Sequence, residues 1–123
     1  MAIACQLAAD DGAHIVATTV VEVPAELPLD AQMPREDRDA RGLLRHAAAI
    51  GDLHGVTVDT RLSRGRAAGE QIVDEALVAQ SELIVVAAAR ARRFAATAPV
   101  FGHTVDYVLK HAPCRVMVAM APA

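Results

Sequence analysis

The stretch AGEQIVDEALVAQSELIVVAAA, residues 68–89, decides the fold. Its first part places Ile72, Val73, Ala76 and Leu77 at helical spacing, and the helix runs to about Gln80. Its second part, ELIVVAA at 82–88, is a short aliphatic run with no polar alternation, which predicts a buried strand. A helix handing over to such a strand is one half of a β-α-β unit, so strands and helices are expected on either side of it.

They are found in both directions. Downstream, Val105, Val108 and Leu109 mark a short helix over 104–111, Pro113 stops it, and CRVMVAM at 114–120 is a last strand. Upstream, VTVDTRLS at 56–63 alternates Val56, Val58, Thr60 and Leu62 with polar residues, as an edge strand with one wetter face does, and Arg64-Gly65 makes the turn after it. Residues 35–53 have helical spacing through Leu43, Leu44, Ala47 and Ile50. HIVATTVVEV at 14–23 is β-branched enough for a strand covered on both faces. The opening MAIACQLAADDGA is a helix with Ile3 and Leu7 on one face and Gly12 past its end. Pro24, Pro28 and Pro34 keep 24–34 irregular. Alternation of strand and helix implies right-handed crossovers and an open parallel sheet with helices on both faces, a Rossmann-like α/β fold.

Composition narrows the function. The chain of 123 residues suits a single domain, 1–123, and its 54% hydrophobic fraction with only 2% aromatics suits slim helices on an aliphatic sheet. A net charge of -3 supplies no field for a polyanion, so no nucleic-acid partner is expected. Cys5 and Cys114 stand far apart, no leader of secretory type opens the chain, and no apolar run is long enough to span a bilayer. A reduced, cytoplasmic protein is expected.

Only one segment gathers residues with chemistry beyond fold building. ARARRFAATAPVFGHT, 89–104, has Arg90, Arg92 and Arg93 at one end and Gly102-His103-Thr104 at the other, where a strand gives way to a helix. The arginines could clamp a phosphate through their planar forks, or form a solvated loop, which is what charge runs more often mean. Thr104 or His103 could serve an anion at the helix start, or Thr104 could cap the helix amides, the role favoured for it. His14, His46, His54, His103 and His111 have no pair at three- or four-residue spacing, so no metal site is expected. Cys114 reads as a small buried residue, and Asp106 with Lys110 as an exposed pair one helical turn apart. No serine or carboxylate arrangement typical of a hydrolase is present, and an enzyme is not expected.

The segments 68–89 and 102–120, with Glu82-Leu83-Ile84-Val85, Gly102-His103 and Ala112-Pro113-Cys114-Arg115-Val116, resemble the second half of a universal stress protein domain. With the proline-rich loop after VVEVP and the APCRV ending, the chain is most similar to the stress-protein-like domains appended to bacterial amino-acid permeases. The resemblance implies a regulatory or sensory binding module, with a membrane transporter as partner or fusion. It also implies a homodimer formed by antiparallel pairing of the last strand, 114–120. Nucleotide-binding members wrap a triphosphate with a glycine-rich loop, which makes ATP the cofactor to test and Ala87, Arg90, Gly102, His103 and Thr104 the matching positions. Here the first glycine position is Ala87, the second is Arg90, and the spacer to Gly102 is lengthened to 11 residues. Since a Cβ blocks close approach of backbone to phosphate, a strong ATP binder is not expected. The alternative is an adenine-nucleotide binder with weak hydrolysis, in which the arginines replace the lost amides. An irregular, poorly ordered loop is expected between Ala87 and Gly102. The resemblance further implies a sheet whose central first strand has no counterpart here.

Overall fold

The structure, a computed structural model, describes residues 1–88 and 102–120. Among the described residues are four helices, α1 (Ala2–Asp11), α2 (Pro34–Leu53), α3 (Ala68–Ala79) and α4 (His103–His111). The strands are β1 (Ile15–Glu22), β2 (Val58–Gly65), β3 (Leu83–Ala88) and β4 (Arg115–Met120). The alternation predicted from sequence is therefore observed. The chain forms two compact units, Met1–Arg66 and Ala67–Ala123. Each is built on one pair of parallel strands, β1 with β2 and β3 with β4. Among the described residues no further strand joins either pair.

In the first unit Ile15 pairs with Val58 and Glu22 with Gly65, so β2 continues through Arg64 and Gly65. The turn expected at those two residues is displaced, because Gly65 is buried in the ladder and its carbonyl accepts from the Val23 amide at 2.8 Å. Helix α2 starts at Pro34, whose fixed φ and missing N–H suit the first helical position. Its buried stripe is Ala40, Leu44, Ala47 and Gly51, while Leu43 of the expected face points outward, 62% exposed. Close approach explains the small residues. A Cβ on Gly51 would stand 2.5 Å from Val58 Cγ2 and 2.8 Å from the Val56 carbonyl oxygen. Helix α1 follows the same logic: Cys5 and Ala8 are buried whereas Ile3 is exposed, contrary to the face expected from Ile3 and Leu7. It ends where expected, at Gly12, in the left-handed conformation at φ 66° that glycine adopts without a Cβ penalty. On β1, Val21 is buried and Val16 exposed, so coverage is less even than its composition predicts.

The second unit has a core of Val73, Ala76, Ile84 and Val108. Ile72, Val86, Tyr107, Ala112, Cys114 and Val116 pack against it. Cys114 is half-buried, less enclosed than expected. The β3–β4 register runs from Leu83 opposite Arg115 to Ala88 opposite Met120, and over 83–87 Ile84 alone is deeply buried. Pro113 separates α4 from β4 as its sequence requires.

Candidate functional site

The start of α4 is the candidate site, and its geometry follows from one glycine. Gly102 occupies the N-cap position with φ 89° and ψ 165°, a backbone state essentially confined to glycine. It turns the chain into a helix whose first internal hydrogen bond is the Asp106 amide to the Gly102 carbonyl at 3.0 Å. The amides of His103, Thr104 and Val105 precede that bond, and no side chain caps them. Amides of this kind, at the positive end of a helix, favour an anion.

Thr104 does not take the capping role expected of it. The helix begins one residue earlier, at His103, so Thr104 lies inside the first turn with helical backbone and is half-buried. A cap residue must stand outside the helix for its hydroxyl to reach the amides, and Gly102 holds that place. His103 is exposed. Asp106 lies in the first turn, and its carboxylate meets Lys110 at 3.0 Å, the pair expected from their spacing.

Of the matching positions, Ala87 lies exposed near the end of β3, opposite Ala119 of β4, with a methyl group where the family motif has hydrogen. Arg90, Arg92 and Arg93 lie outside the described residues, as does most of the loop expected to be irregular between Ala87 and Gly102. Among the described residues no three of His, Cys, Asp and Glu gather at a metal-sized point, and no helix is long and apolar enough to cross a membrane.

Two arrangements in the first unit escaped the sequence reading. His14 Nε2 lies 2.6 Å from Asp59 Oδ2 at the start of the strand pair. Both side chains are 62% exposed, and a pair so open to water contributes little. At the opposite end, Arg64 and Arg66 turn their guanidinium groups onto residues 23–31. Arg64 also meets the Asp37 carboxylate at 2.6 Å, with both side chains half-buried. The sequence signal was two arginines two apart at one strand end, and a proline-rich segment short of amide donors after the preceding strand.

Comparison with known proteins places this geometry. A universal stress protein from Archaeoglobus fulgidus superposes with a TM-score of 0.76 at 20% identity, over 95% of this chain and 84% of that one. A universal stress protein in complex with cAMP gives 0.72 at 18% identity, over 97% and 83%. A member of the family from Arabidopsis thaliana with AMP bound gives 0.58 at 21%, over 89% and 65%. No curated protein sequence matches the chain. The shared architecture is the α/β fold predicted from sequence, and the sequence model of the family matches residues 1–119; the chain belongs to the universal stress protein family.

Proposed function

We propose that this protein is a regulatory stress-response module that acts by binding rather than catalysis and is not a strong ATP binder. The observation that carries the reading is the start of α4, where Gly102 and the uncapped amides of His103, Thr104 and Val105 survive without the other two glycines of the phosphate loop. A triphosphate needs amides along the whole loop, whereas a helix start alone suits one phosphate group. Titration with AMP followed by amide NMR tests this: shifts should centre on Gly102 to Val105 and saturate only in the millimolar range. Shifts of those amides saturating at micromolar AMP would overturn it.

A second reading is supported by the solved relatives described as bound to cAMP and AMP. In it the chain is an adenine-nucleotide binder with weak hydrolysis, and Arg90 supplies the charge that Gly102, His103 and Thr104 lack. Phosphate release from ATP above the buffer rate, abolished by Arg90→Ala, would favour this alternative.

The proposal extends to surroundings. A cytoplasmic homodimer through 114–120, a tie to a membrane transporter and no nucleic-acid partner fit a sensory module with net charge -3.

A further inference from the structure

Residues 24–33 connect β1 to α2 without helix or strand. Pro24 and Pro28 have no N–H, and the segment's own backbone bonds are two, from the Leu27 amide to the Pro24 carbonyl and from the Ala31 amide to the Pro28 carbonyl, each 3.0 Å. Its shape depends instead on Arg64 and Arg66. Arg64 Nε donates to the Leu29 carbonyl at 2.9 Å and Nη2 to that of Ala31, while Nη1 meets Asp37. Arg66 Nη1 donates to the carbonyls of Pro24 at 2.5 Å, Leu27 at 2.7 Å and Val23 at 3.3 Å.

The two arginines differ in one respect. Arg64 has a carboxylate partner, whereas the described hydrogen bonds of Arg66 go from one nitrogen to neutral carbonyls. Nη1 carries two protons for three acceptors, so the contacts are shared, and Nε and Nη2 make no described bond. Arg66 directly follows the last residue of β2, at the carboxyl end of the strand pair, where open parallel sheets receive ligands. A guanidinium meets a phosphate oxyanion through two parallel N–H groups, so opposite charge and fixed geometry both favour it over single contacts to neutral carbonyls.

We propose that Arg66 is the receptor for a phosphate-type oxyanion, free phosphate or a phosphate monoester, and that its binding releases residues 24–33 as a strap. An anion held end-on by Nη2 and Nη1 draws Nη1 away from the Val23, Pro24 and Leu27 carbonyls, and the strap is then left with its own two backbone bonds and the Arg64 contacts. This mechanism does not depend on the nucleotide reading of α4.

Amide exchange at Leu27 and Ala31 in the whole chain is the test. Millimolar inorganic phosphate, or ribose 5-phosphate, should speed exchange at Leu27 by about tenfold relative to chloride at equal ionic strength, the scale of losing one or two net hydrogen bonds. Exchange in β1 and β2 should not change. A response to phosphate alone would identify the free anion, and a response to the sugar phosphate alone the monoester. Arg66→Ala should exchange fast at Leu27 in chloride and lose the response, with the thermal midpoint checking that the variant is folded. Arg66→Lys, which keeps the charge without the fork, should respond more weakly. Equal acceleration by chloride, no acceleration by either oxyanion, or an undiminished response in Arg66→Ala would overturn the proposal.

Discussion

Gly69 on α3 lies against Tyr107 on α4 so closely that an added Cβ would stand 2.9 Å from Tyr107 Cβ and 3.0 Å from its Cδ1. Tyr107 cannot easily yield, because the near atom is its own Cβ and its ring rests on His111 with centroids 4.3 Å apart. Gly69→Ala therefore sets two effects against each other. Helix propensity favours alanine by roughly 0.5–1 kcal/mol, whereas forced overpacking costs about 1–3 kcal/mol. The clash should win, and a urea melt should give a lower midpoint at unchanged slope. An equal or higher midpoint would show that α3 and α4 are not held this closely.

Gln80 is the opposite case. It ends α3 in the left-handed conformation at φ 52°, with the Ser81 amide bonded to the Ala76 carbonyl at 3.0 Å, an arrangement usually completed by glycine. Gln80→Gly removes the Cβ strain and should raise stability by up to about 1 kcal/mol, less what the freer unfolded chain returns. The same melt reads it, and a drop in midpoint would contradict the assignment of the cap.

These two positions also show what the sequence made legible. Strands, helices and their order follow from β-branched runs and from proline and glycine stops, and all eight elements were placed within a few residues. Buried faces were less readable. In α1, α2 and α3 the buried stripes are Cys5 and Ala8, then Ala40, Leu44, Ala47 and Gly51, then Gly69, Val73 and Ala76, while Ile3, Leu43 and Leu77 are exposed. Periodicity weighted by hydrophobicity follows the large residues. Close packing selects the small ones, and the two criteria part company in alanine-rich helices. Arg64-Gly65 misled for a related reason, since glycine after a charged residue resembles a turn until its neighbour across the ladder, Glu22, is known. At the candidate site Gly102 was legible from its place between loop and helix. The shift of the helix start to His103, which removes Thr104 from the cap, depends on a one-residue boundary that composition does not encode.

Assembly is a separate expectation. The β4 residues Val116, Met117, Val118 and Ala119 are uncharged and half-buried, and the edge of β4 away from β3 has no partner among the described residues. An open aliphatic edge of this kind favours pairing with a second copy across a two-fold axis. Light scattering at micromolar concentration should give twice the 12.9 kDa chain mass, and a monomer mass would contradict the pairing.

The central claim, that the chain binds as a module without a working triphosphate cradle, is tested most directly by calorimetry with ATP and magnesium. The surviving amides at the start of α4 and the methyl group of Ala87 predict no saturating heat in the micromolar range. A saturable one-to-one isotherm at micromolar ATP would contradict it and show that residues other than the lost glycines rebuild the cradle.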